Sequence, residues 1–173
     1  MVRYKIPLLL QGLALLIPLN IYMWGDWLLV NLQWAFFRFQ TSANGSCLIP
    51  LNRDIDYILL GYTTGIHNIL AALFWTAGGL LLLSGFLVTV YACSLEEVRH
   101  IRLASFFTLG AGILFGISAL ERFTAGFAIP LGLPIIFITA WIMYQQQLEP
   151  DEGDDSSDND EECPARELSQ DPE

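Results

Sequence analysis

Asp26, Asp54, Asp56, His67 and Glu121 are the residues of this sequence best placed to hold a divalent cation together. Carboxylate oxygens with an imidazole nitrogen suit zinc and related metals. Each of the five lies next to the end of an apolar stretch, so folding could bring them to one face. Their spacing forms no ligand motif, however. There is no H-E-x-x-H, and no two histidines share a helical face. Arg38, Arg53 and Arg122 lie in the same regions, and pairing of Asp with Arg is the simpler expectation. No metal ligand, cofactor site or catalytic residue is therefore assigned from the sequence. No Ser-His-Asp or Cys-His arrangement is legible, and neither G-x-G-x-x-G nor a Walker pattern occurs. Cys47, Cys93 and Cys163 are scattered and include no C-x-x-C pair, so a disulfide framework and a zinc knuckle are both unexpected.

The elements that would position these groups are set by hydropathy. Hydrophobic residues make up 54% of the 173 residues, which is high for a chain that also carries a very polar end. A hydrocarbon core about 30 Å thick needs about 20 apolar residues in a helix. Four stretches meet or approach this, near residues 6–25, 69–92, 103–120 and 123–144. The sequence therefore predicts an all-α membrane protein with four transmembrane helices in residues 1–148. Pro18, Pro130 and Pro134 are expected to kink the first and fourth spans. Arg3 and Lys5 ahead of IPLLLQGLALLIPL resemble a signal peptide, but no small-x-small site follows, so an uncleaved anchor is expected. Ser94 and Glu97 fit a capping box that opens the third span. In its first turns Glu96 is spaced to pair with Arg99 and His100.

Residues 26–68 form the one large loop. WLLVNLQWAFFRF within it is too short to span, and two structures suit it. One is a short β-hairpin turning at Ser42-Ala43-Asn44-Gly45, which the N-G dipeptide favours. The other is an interfacial segment with Trp24, Trp27 and Trp34 at headgroup depth. Asn44-Gly45-Ser46 also matches an N-glycosylation acceptor, although a plain turn explains it. Residues 149–173 hold twelve acids and one base, Arg166, with almost no apolar residues. Such a tail is expected to be disordered and to serve as a soluble brush or a lure for a basic partner. Without it the chain is near neutral, with seven basic and six acidic residues, and no basic patch suggests nucleic acid.

Basic residues set the orientation. Arg3, Lys5, Arg99, Arg102 and Arg166 fall on one side, against Arg38, Arg53 and Arg122 on the other. This places both termini in the cytoplasm, and it puts Cys47 and Cys163 on opposite sides. Gly112 and Gly116 are spaced for close helix packing, within the chain first and between copies second. No Asp, Glu, Lys or Arg falls at mid-depth, which disfavours an ion-coupled transporter.

Asp56-Tyr57, Gly61-Tyr62-Thr63, Gly65, Trp75-x-x-Gly78, EEVRHIRLASFFTLGAG and the Pro130/Trp141 segment carry a resemblance. Across residues 5–145 the chain resembles small multi-span membrane proteins of haloarchaea and related archaea. These have no assigned function, and some are encoded near an HtpX-type membrane zinc metallopeptidase. The resemblance implies a cell-membrane protein and supplies no catalytic residue. The leading functional expectation is a non-catalytic accessory or interaction protein with a membrane-protein partner. The alternatives are a small channel or transporter component that oligomerises through Gly112 and Gly116, and a membrane enzyme with an outer-face metal.

Overall fold

A computed structural model describes residues 5–24, 29–95, 98–124 and 126–146. Asp26, Trp27, Glu96, Glu97 and the acidic tail lie outside these residues, as do the expectations that rest on them. Ser94 is still inside a helix, where its hydroxyl donates to the Tyr91 carbonyl at 2.7 Å.

Two long helices form the axis: α3 (Ile66–Leu95) and α4 (Val98–Phe123). Their 30 and 26 residues measure about 45 and 39 Å at 1.5 Å per residue. Both are apolar on every side. Ala71, Trp75, Leu82 and Ala92 of α3 are buried at helical spacing, as are Ile101, Ala104, Ala111 and Phe115 of α4. Leu73, Leu80, Leu87, Leu103, Phe106 and Leu109 are exposed on the outer faces. These two helices are long and apolar enough to cross a membrane.

The other two apolar helices are not. α1 (Lys5–Leu16) has 12 residues and α5 (Leu133–Gln145) has 13. At about 18–20 Å each falls well short of a 30 Å core. The all-α, four-span expectation is therefore corrected. The chain is mixed α/β, with five helices and a five-stranded antiparallel sheet among the described residues.

The first expected span is a helix only up to Leu16, and it continues as strand β1 (Asn20–Trp24). The last one divides in the same way, into strand β5 (Phe127–Ile129) and then α5. The prolines explain the divisions. Pro18 and Pro130 lie between elements, where a missing N–H interrupts a helix at little cost. Pro134 occupies the first turn of α5, where no intrahelical N–H partner exists to be lost. None of the three kinks a continuous helix.

Between β1 and α3 run β2 (Leu29–Gln33), β3 (Phe37–Ser42), β4 (Gly45–Pro50) and the short helix α2 (Leu51–Leu59). The sheet order is β4-β3-β2-β1-β5. The hairpin reading of the loop is present: Ser42 pairs with Gly45, and Gly45 has φ 127°, which favours glycine. The register sets Asn20 beside Gln33, Tyr22 beside Asn31, Asn31 beside Gln40 and Gln33 beside Arg38. All six side chains thus share one face. Ile21, Leu32, Phe39, Leu48 and Phe127 lie on the opposite face. The polar face is the buried one: Asn31 and Gln33 are 0% and 1% exposed, whereas Leu48 on the apolar face is 59% exposed. A sheet in water normally has the reverse arrangement.

The sheet is seated on α3 through the turn at residues 34–36. A Cβ on Gly79 would lie 2.7 Å from the Ala35 carbonyl oxygen, so only glycine allows this approach. The Trp75 indole donates to the Trp34 carbonyl at 2.8 Å, and the Trp34 indole donates to the Leu16 carbonyl at 3.0 Å. Leu19, Ala35, Trp75, Phe115 and Ile136 then join one core. Gly112 and Gly116 both face α5: Ile136 and Phe137 lie against Gly112, and Leu133 lies 3.7 Å from a Cβ on Gly116.

Gly79→Ala should destabilise the protein by about 1–3 kcal/mol through overpacking against backbone. Gly116→Ala, which has room, should be neutral or slightly stabilising. Thermal unfolding of the two purified variants, followed by tryptophan fluorescence, checks the contrast.

Candidate functional site

The polar face of the sheet meets α2 and the nearby ends of α3 and α4 around a cavity of about 380 Å³. Tyr22, Asn31, Arg38 and Gln40 come from the strands, and Asp54 and Tyr57 from α2. Tyr62, Thr63 and Thr64 come from the segment that joins α2 to α3. Asn68 of α3 and Arg122 of α4 complete the polar wall. Its size falls in the range of small-molecule sites.

Alternation along the strands is what directs these groups inward. Residues i, i+2 and i+4 of a strand share a face. Tyr22, Asn31, Arg38 and Gln40 therefore project together into the space that the helices enclose. Asp54 reaches it because α2 begins directly after β4, pinned by a Leu51 N–H to Phe36 carbonyl bond of 2.8 Å.

Arg38 organises the base of the cavity. Its Nε and Nη2 donate to Asp54 Oδ1 at 3.1 and 2.7 Å. Its Nη1 donates to the Tyr22 hydroxyl at 2.6 Å and to Asn31 Oδ1 at 3.3 Å. Burial opposes the charge on Arg38, but Tyr22 and Asp54 outweigh it and hold its pKa above the ordinary value. The guanidinium remains charged at any physiological pH.

Arg122 approaches the same tyrosine from α4, with its guanidinium carbon 4.3 Å from the Tyr22 ring centroid. Tyr22 thus receives a hydrogen bond from one arginine and offers its π face to another. Arg122 makes no ion pair among the described residues, and its Nε is buried without a hydrogen-bond partner there. The charged side chains among the described residues of the wall are two arginines and one aspartate, a net charge of +1.

The residues singled out in the sequence as cation ligands do not gather. Asp54 is bound by Arg38. His67 Nδ1 and Glu121 Oε2 pair with each other at 2.7 Å across the ends of α3 and α4, outside the cavity lining. Asp56 is exposed on α2, and Asp26 lies outside the described residues. Among the described residues no three His, Cys, Asp or Glu side chains stand close enough to hold a metal. Arg53 donates to the Tyr57 hydroxyl at 3.0 Å.

The sequence reading missed Tyr22, Asn31, Arg38 and Arg122 as a group. A signal existed. Polar residues recur at every second position in N-I-Y, L-V-N-L-Q and F-R-F-Q, which is strand periodicity. The density of apolar residues masked it.

The fold and site define an α/β protein with two membrane-length helices and a polar cavity at one end of them. No protein-family model and no curated protein sequence matches this chain.

Arg38→Ala should cost about 3–5 kcal/mol, because it leaves the Asp54 carboxylate buried without its partner. The double variant Arg38→Met, Asp54→Leu should recover most of that loss. Thermal unfolding of Arg38→Met, Asp54→Leu and the double variant closes the cycle.

Proposed function

We propose that this chain is a non-catalytic accessory protein of the cell membrane that binds a ligand through this cavity. In this reading α3 and α4 cross the bilayer, and α1 and α5 pack beside them in the inner half. The sheet occupies the outer half, with its apolar face turned to lipid and its polar face turned inward. Both chain termini are then cytoplasmic and the cavity faces outward.

The observation that carries the proposal is the polar cavity itself. A polar sheet face is directed inward around open space while apolar side chains face out. Filling that space with apolar side chains would be the economical way to build a core. A recess lined with arginine, tyrosine, threonine and amide side chains beside Met23, Leu29 and Ala72 instead suits the binding of a ligand with both a polar and an apolar part. The chemistry of the wall supports binding over catalysis. Its one described carboxylate is tied to Arg38, which donates twice to Oδ1 and holds the group in an ion pair at the base of the cavity.

The membrane reading is supported by the outward apolar surface. Exposed large apolar residues run from Ile66 to Tyr91 on α3 and from Leu103 to Phe123 on α4. At the helical rise these runs are about 38 and 30 Å long, enough to cross a hydrocarbon core. The orientation is supported by Lys5, Arg99 and Arg102, which lie towards the end of the bundle away from the sheet.

Two experiments test the proposal. A photo-reactive benzoylphenylalanine at position 62, on the cavity rim, should give a discrete adduct in native membranes by mass spectrometry. The same group at the exposed Leu9 should give only diffuse lipid adducts. Equivalent patterns at the two positions would exclude a specific occupant. For orientation, a membrane-impermeant maleimide applied to intact cells should label the exposed Cys47, and Cys47→Ser should abolish the labelling. Labelling that survives Cys47→Ser would reverse the topology.

A further inference from the structure

We infer that the group received by the cavity is a singly charged phosphate diester, held by Arg122. The inference rests on the ligand-binding reading above and adds the chemistry of the ligand.

Charge supplies the first argument. Arg38 is occupied: Asp54, Tyr22 and Asn31 take its donors. Arg122 is matched less fully. It turns inward over Tyr22, which is also its hydrogen-bonding neighbour, and Asp54 attracts it from a distance, but it makes no ion pair among the described residues. A long cationic side chain near a membrane boundary would ordinarily snorkel outward into water or headgroups. Held against a buried tyrosine, its charge calls for an anion. The described wall carries one excess positive charge, which a monoanion balances and a dianion overshoots.

The rim supplies the second argument. Tyr62, Thr63, Thr64 and Gln40 bring hydroxyl and amide donors to the same space. Donors arriving from several directions suit a tetrahedral anion with several oxygens better than a planar carboxylate.

Position supplies the third. The exposed apolar residues of the two long helices reach Ile66 on α3 and Phe123 on α4. Asn68 and Arg122, both in the cavity wall, lie within the last turn before those ends. In the proposed bilayer placement this is the boundary region, next to the phosphate groups. An outer-leaflet phospholipid would present a diester there, and a soluble diester has the same chemistry.

The test uses the full chain, purified and delipidated in a neutral maltoside detergent, with its unfolding midpoint followed by tryptophan fluorescence. Three probes are titrated: dihexanoyl phosphatidylglycerol, water-soluble glycerophosphoglycerol, and dihexanoylglycerol, which lacks phosphate. The phospholipid should raise the midpoint in a saturable way, and dihexanoylglycerol should not. Arg122→Gln should weaken the apparent affinity by at least about tenfold, the loss of one charge-assisted contact. Arg122→Lys should retain part of it. An equal response to glycerophosphoglycerol would support the diester and assign it to a soluble source. No saturable response of the wild type to either diester would overturn the inference, as would a response unchanged in Arg122→Gln. The wild-type titrations decide the matter even if Arg122→Gln fails to fold. Failure here alongside a discrete adduct at position 62 would leave the ligand-binding reading intact and remove only the diester.

Discussion

The constraint on which this structure depends is the fate of backbone polar groups where two helices stop beside a third that continues. A helix end leaves its last carbonyls and first N–H groups without intrahelical partners. α1 stops at Leu16 and α5 starts at Leu133, and both ends pack against the middle of the α3–α4 pair. Strand pairing and indole donors take over there. The Trp34 indole satisfies the Leu16 carbonyl, and the Leu19 N–H reaches the Gln33 carbonyl at 2.7 Å. The Leu19 carbonyl then accepts from the Gly132 N–H at 2.9 Å, and the Gly132 carbonyl accepts from the Ile136 N–H at the start of α5. Each break in a helix is thus closed by a bond to the sheet or its flanking residues. Apolar surroundings make such closure obligatory, because an unpaired amide there costs several kcal/mol.

Seating the sheet in this way requires backbones to approach closely. Gly79 admits the Ala35 carbonyl, and a Cβ on Gly132 would lie 2.9 Å from the Leu19 Cα. Once the turn at residues 34–36 is fixed against α3, the register decides every side chain. A one-residue slip would move Asn31, Arg38 and Tyr22 to the apolar face and Phe39 and Leu48 to the cavity. The cavity chemistry is therefore a consequence of how the sheet is docked, and the Arg38–Asp54–Tyr22 network in turn ties the strands to α2. Position and chemistry support each other, which is why the buried polar face persists.

The inverted sheet also links the fold to the proposed role. Apolar residues outward and polar residues inward suit strands bordered by lipid on one side and a polar recess on the other. The recess lies beside the ends of the long helices, which on the proposed reading is where a ligand at the membrane surface would reach it.

Much of this was legible in the sequence. The apolar runs of α3 and α4 and the N-G hairpin turn are local features, and each marks a real element; Pro18 and Pro130 were read as kinks and mark element boundaries instead. Period-two alternation around Asn31 and Arg38 was also present, although apolar density concealed it. Two things were not legible. Residues 6–25 and 123–144 have the hydropathy of spanning helices, and only the pairing of β1 with β2 and β5 shows that each contains a strand. Pairing partners lie far apart in the chain, about 105 residues between Tyr22 and Ala128, and no local pattern encodes that contact. The site was hidden for the same reason. The sequence alone determined that two long apolar helices exist and that the remaining charges cluster near their ends. The tertiary structure decided that Arg38 meets Asp54 and Arg122 meets Tyr22, because those meetings depend on strand register and on how closely Gly79 lets the sheet approach.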